Sequence, residues 1–178
     1  YATIAVNSFE AMSKAETPYH AGFAAQKAGD MELAEKHWTE AASFGHSSAM
    51  YNLAIIKSNN SDYEEAEKLA LLAKHMERRE PHIKGLDQFI HDTIGKKLFI
   101  QGAETYNQYK DTNNRAFYDK CIRLWEESAE MGCMAAIMML PRTLIENHQT
   151  TAELKKAKHW TEIAIKHGET KLTATLTP

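Results

Sequence analysis

A twelve-residue phrase occurs three times in this chain and constrains its fold more than any other feature. It reads Ala34-Glu-Lys-His-Trp38-Thr-Glu-Ala41-Ala42-Ser-Phe-Gly45, then Cys121-Ile-Arg-Leu-Trp125-Glu-Glu-Ser128-Ala129-Glu-Met-Gly132, then Ala157-Lys-His-Trp160-Thr-Glu-Ile-Ala164-Ile-Lys-His-Gly168. A small residue stands eleven positions before a glycine, and all three Trp of the chain fall near the first turn of a phrase. A repeat of this length marks stacked helical hairpins, because one hairpin cannot bury its apolar face alone. Each phrase is expected to be the second helix of a hairpin. Its small first residue lets the paired helix approach, its Trp fills the wedge between neighbouring hairpins, and its glycine ends the helix in the left-handed conformation. Arrays of this kind mostly bind other proteins.

The pattern continues past each glycine. Gly45 leads to Ala49 and Leu53, Gly132 to Ala136 and Leu140, and Gly168 to Leu172 and Leu176, which gives one buried stripe at i, i+4 spacing. A degenerate copy, Ala66-Glu-Lys-Leu-Ala70-Leu-Leu-Ala73, has Glu77 where the glycine belongs, so its helix is expected to run on to Pro81. The four copies start at 34, 66, 121 and 157, with spacings of 32, 55 and 36. The surplus in the long spacing falls at about 77–100, as an extended or additional helix within a single domain spanning 1–178.

No segment reads as a strand, and the few Gly and Pro sit between helical patterns, so the chain is all-α. Helices are expected near 2–14, 17–28, 31–44, 47–58, 61–79, 82–109, 116–131, 134–147, 152–167 and 170–176. Ser61 and Thr151 are expected as N-caps. Pro141, inside a helical pattern, should kink or shorten its helix.

These residues resemble the Sel-like repeat, a longer relative of the tetratricopeptide repeat. The resemblance rests on Ala34-x-x-His37-Trp38-x-x-Ala41-Ala42-x-x-Gly45-His46-x-x-Ala49-x-Tyr51-Asn52-Leu53-Ala54 and extends to 121–140 and 157–168. Ala54 and Pro141 depart from it, standing where the family usually has Gly. It implies a right-handed α/α superhelix, a solenoid of about four hairpins whose first helices line a concave surface. It also implies adaptor, scaffold or regulator roles. Some bacterial members of the family resemble immunity proteins that neutralise a secreted effector, and that is the alternative reading here. Hydrolase activity assigned to cysteine-rich members is a remote one, since those carry two Cys per unit and this chain has two in all.

Charge and composition narrow the partner. The net charge of −3 argues against nucleic acid, and 43% hydrophobic with 25% charged residues is ordinary for a globular chain. Residues 1–73 carry a net −5 and residues 74–178 a net +2, so the acidic first half either steers a basic partner or is simply a solvated helical surface. No apolar run approaches the roughly 18 residues of a membrane span. The chain opens on Tyr1 rather than Met, so it is expected to be trimmed or processed. Its compartment is therefore left open between cytoplasm and export. Cys121 and Cys133 lie twelve positions apart along a helix and its turn, which is too far for a bridge, and Cys121 takes the place of the small packing residue.

Nothing in the sequence calls for catalysis, a cofactor or a metal. No two of the nine His are three or four apart. The i, i+4 pairs Glu16/His20 and Asp87/His91 are of a kind common by chance. No phosphate-binding glycine loop is present, and no nucleophile stands in a recognisable setting. The chain is therefore read as a non-enzymatic protein-binding module. Its partner-facing candidates are the off-stripe residues of the first helices: His20, Lys27, Asn52, Lys57, Gln88, Tyr106 and Arg142. The Met-rich stretch Met134-Ala-Ala-Ile-Met138-Met139 admits two readings, an adaptable binding surface or core, and the register of Ala136 and Leu140 favours core. Residues 169–178 read as half a hairpin, a possible route to weak self-association.

Overall fold

A computed structural model describes residues 9–77 and 82–176, with side chains over 12–77 and 82–168. The described residues form eight helices and no strand: α1 (Phe9–Lys27), α2 (Met31–Ser43), α3 (Ser47–Asn59), α4 (Tyr63–Met76), α5 (Leu86–Thr112), α6 (Arg115–Glu130), α7 (Met134–Asn147) and α8 (Thr151–Leu176). Consecutive helices pack as hairpins, α1 with α2, α3 with α4 and α7 with α8, and α2–α3 and α6–α7 join neighbours. The chain is all-α and solenoid-like in this succession. Two compact units divide within α5, between Thr93 and Ile94.

Local chemistry sets the boundaries. Asp30, Asp62 and Asn114 cap α2, α4 and α6 by accepting the backbone N–H of Leu33 (3.0 Å), Glu65 (3.2 Å) and Ala116 (3.0 Å). The N-cap of α4 is thus Asp62 rather than Ser61. Ser61 instead takes the left-handed position of the preceding turn, φ +63°, where Asp62 N–H closes on the Lys57 carbonyl. At α8 the cap is Thr150, one residue before the expected Thr151. Its hydroxyl accepts from Glu153 N–H (3.3 Å) while the Glu153 carboxylate accepts from Thr150 N–H (3.0 Å), a reciprocal capping box.

Gly45 and Gly132 end α2 and α6 with φ +90° and +85°, as the phrase predicts. Gly168 does not end its helix: α8 runs through it to Leu176, so the two helices expected at 152–167 and 170–176 are one. Glycine permits a left-handed turn without compelling it, and within a helix it costs only about 1 kcal/mol relative to alanine. The separate helices expected near 2–14 and 17–28 are likewise one over its described part: α1 passes unbroken through a buried Pro18. α7 is not shortened by Pro141 and continues to Asn147. The expected helix start near residue 2, and the run-on through 78–81, lie outside the described residues.

The small first residue of every phrase is buried: Ala34, Ala66 and Cys121 fully, Ala157 almost so. Cys121 packs as the repeat requires, and burial pushes its thiol up to about 12. Trp38 and Trp125 pack against the first helix of their own hairpins, and Trp125 also belongs to the buried cluster that runs on into α7 and α8. Each lies flat on a glycine of its own hairpin's first helix, Gly22 and Gly102, where a methyl group would fall inside the indole ring. Each indole N–H donates to the carbonyl three residues before that glycine, Trp38 to Tyr19 (3.2 Å) and Trp125 to Phe99 (3.0 Å). Two registers carry this lock, Ala15-x-x-x-Tyr19-x-x-Gly22 and Gly95-x-x-x-Phe99-x-x-Gly102. Trp160 behaves differently. It stands three residues after its small residue instead of four, and it reaches α6, where its N–H meets Glu126 (3.4 Å).

Candidate functional site

The partner-facing candidates fall into different settings. His20 is exposed on α1 and pairs with Glu16 (3.3 Å), and Lys27 is exposed at the end of the same helix. Lys57 is committed within the fold: it bridges α3 to Glu35 of α2 at 2.8 Å, and that hydrogen bond holds its pKa up. Half-buried Asn52, also on α3, has an amide nitrogen with no hydrogen-bond partner. Gln88 is exposed and bonds Asp92 (2.8 Å). Tyr106 is half-buried beside Trp125 and Tyr109, and its hydroxyl accepts from Asn147 (3.3 Å). Arg142 is exposed on α7 and pairs with Glu146 (2.8 Å). Tyr106 and Arg142 both belong to the second unit, where Tyr106 meets the end of α7 at Asn147 and the pairing with Glu146 holds the Arg142 pKa up.

The surface that stands out holds Arg142 and part of the Met-rich stretch, for which the sequence register favours core over a binding surface. Ala136, Ile137, Leu140, Thr143 and Leu144 fix the inward side of α7. That register turns Ala135, Met138, Met139, Arg142 and Ile145 outward. Met138 is 59% exposed, Ile145 53% and Met139 37%. The Met-rich stretch is thus divided: Met134 packs against the core, while Met138 and Met139 lie off the Ala136–Leu140 stripe. Arg142 and Glu146 neutralise each other on this face, so it presents mostly apolar area with no net charge.

His46 is structural, as the turn pattern suggests. It is buried, its Nδ1 accepts the Ala49 N–H and so caps α3, and its ring stacks on Tyr19 at 3.9 Å. The equivalent Cys133 makes no such cap for α7. Glu77, in the place of the missing glycine, is nearly buried at the end of α4. It ties the following segment to the helix by accepting from the Ile83 backbone N–H and pairing with Lys74 (3.0 Å) and His82 (3.0 Å). Burial opposes its charge, yet these partners hold its carboxyl below the usual carboxylate value.

Among the described residues, no group of three or more His, Cys, Asp or Glu is placed to hold a metal, and no helix is long and apolar enough to cross a membrane. No protein-family model matches the chain, and neither a curated protein nor a solved structure does.

Proposed function

We propose that this chain is a protein-interaction module of the Sel-like repeat type, with no catalytic role, and that the outward face of α7 is where its partner docks. The observation that carries this reading is the outward face of α7, where Met138 and Ile145 stand exposed seven residues apart and Met139 stands on the far side of the neutralised Arg142–Glu146 pair. Solitary exposed apolar residues are ordinary on protein surfaces, whereas three large ones around a neutralised ion pair on one helix favour an interaction site. Methionine suits such a surface because its flexible, polarisable side chain adapts to the partner. The repeat reading is supported by paired helices, glycine-terminated second helices at Gly45 and Gly132, and small residues buried at each phrase start.

Site-specific photo-crosslinking tests it. A benzophenone side chain at position 138 or 145 should give one discrete protein adduct in the source cells, and one at exposed Lys120 on α6 should not. Equal adducts at all three positions, or none at any, would refute the assignment.

A further inference from the structure

In the second unit, α6, α7 and α8 line a cleft of about 190 Å³, with Ile122 and Leu144 supplying apolar surface and Tyr118, Asp119, Arg123, Glu153 and Lys156 supplying polar groups. Tyr118 is 1% exposed, and its hydroxyl has no hydrogen-bond partner. Buried polar atoms almost always have one, from protein, water or ligand.

The neighbouring groups are already committed. Glu153 accepts from Arg115 and from the backbone N–H groups of Gln149 (2.6 Å) and Thr150 (3.0 Å). Lys156 pairs with Glu126 (3.0 Å). Arg115 lies over the Tyr118 ring at 3.8 Å, donates to the Asn147 carbonyl (2.8 Å) and stands 3.8 Å from Asp119, the second carboxylate of the cleft lining. The ring is therefore clamped, and the groups around it are engaged with one another. Two lining groups remain without a partner among the described residues, the Tyr118 hydroxyl and the Arg123 guanidinium. Arg123 is always charged and offers only donors. Burial pushes the tyrosine up to about 12, so it too keeps its proton at neutral pH. The cleft has room for about six waters at ~30 Å³ each.

We propose that this cleft binds a carboxylate on a short apolar stem, with Tyr118 and Arg123 donating to the carboxylate and Ile122 and Leu144 receiving the stem. Two sources share that chemistry: a free short-chain acid, and the C-terminal carboxylate of a peptide ending in an aliphatic residue. The site is separate from the α7 face, and neither proposal depends on the other.

The test is a titration of the intact protein with isovalerate and, separately, with an acetylated tripeptide ending in leucine, as the acid and as its amide. It is followed by the backbone amide resonances of Ile122, Arg123 and Ala152. Saturable shifts are expected with a carboxylate and none with the amide. Saturation by isovalerate alone identifies the free acid, and saturation by the peptide acid alone identifies the chain end. Tyr118→Phe should weaken binding on the order of tenfold, since hydrogen bonds to charged groups contribute about that much. The same variant should leave the melting temperature unchanged or higher, because the hydroxyl has no partner in the fold to lose. Arg123→Gln should weaken binding at least as much. If neither acid saturates at millimolar concentration, or both variants bind like the parent, the proposal is wrong.

Discussion

The two units fill the same repeat with different material. Among the described residues, the first buries ten alanines, including Ala34, Ala41, Ala42, Ala66, Ala70 and Ala73, around Trp38 and a few larger residues. The second, among its described residues, buries three alanines and relies on Tyr118, Ile122, Trp125, Ile137, Leu140, Leu144 and Trp160. Small residues let helices approach closely, while large ones hold them apart and contribute more burial per side chain. The units should therefore fail in opposite directions, one when a residue is enlarged and the other when one is truncated.

Size matching in register explains how one phrase serves both. Four residues after the small residue stand Trp38, Ala70, Trp125 and Thr161. Seven residues after the first-helix anchors Ala15, Ala49, Gly95 and Ala136 stand Gly22, Ile56, Gly102 and Thr143. Tryptophan packs on glycine in both units, and at the same register alanine corresponds to isoleucine in the second hairpin and threonine to threonine in the last.

The largest effect is expected from Trp125→Ala, which should cost about 3–5 kcal/mol in urea denaturation, as truncation of a buried aromatic residue does. Opposite in kind is Ala70→Trp, which should cost about 1–3 kcal/mol by overpacking. Combining it with Ile56→Gly should recover part of that loss, whereas additive losses would break the size-matching rule. Smaller gains should come from the turns. Ser61→Gly removes a left-handed serine and should add about 1 kcal/mol, and Cys133→Ser supplies the cap missing from α7 for about 0.5–1 kcal/mol. Thermal melts of the two variants read both.

The last effect is a slope against pH. The Glu77 carboxyl is held below its ordinary value in the folded chain. Its contribution is thus complete above the ordinary carboxylate range and fades as pH falls through the lowered folded value. The stability gap between the parent and Glu77→Gln should close over that acidic window, and a gap that persists unchanged into acid would deny the ion pairs their role.

Much of this was legible in the sequence, for reasons visible at particular residues. Gly45 and Gly132 end their helices in the left-handed conformation, as the repeated phrase predicts. Gly168 carries the same letter, but Glu169 and the residues after it continue α8. Trp160 looks like its counterparts, yet its spacing of three instead of four rotates it by about 100° around the helix and off the glycine-facing side. The lock of Trp38 on Gly22 was missed because it pairs residues from different helices, although the small–aromatic–glycine register of α1 recurs in α5. The exposed face of α7 is half legible: Arg142 marks it and the Met-rich stretch admits a binding surface, but the anchors Ala136 and Leu140 favour core, while Met138 and Met139 sit beside that buried stripe and not on it. The unpaired Tyr118 hydroxyl has no sequence signal, since it depends on which groups three helices bring near.

The central claim is that the repeated phrase builds the scaffold while partner binding lies off it, on α7. The most direct measurement is partner crosslinking from position 142 in the Met138→Glu/Ile145→Glu variant, set beside its melting temperature. The account predicts that the adduct disappears while the melting temperature stays within a few degrees of the parent. An adduct of undiminished yield in a protein that melts like the parent would contradict it.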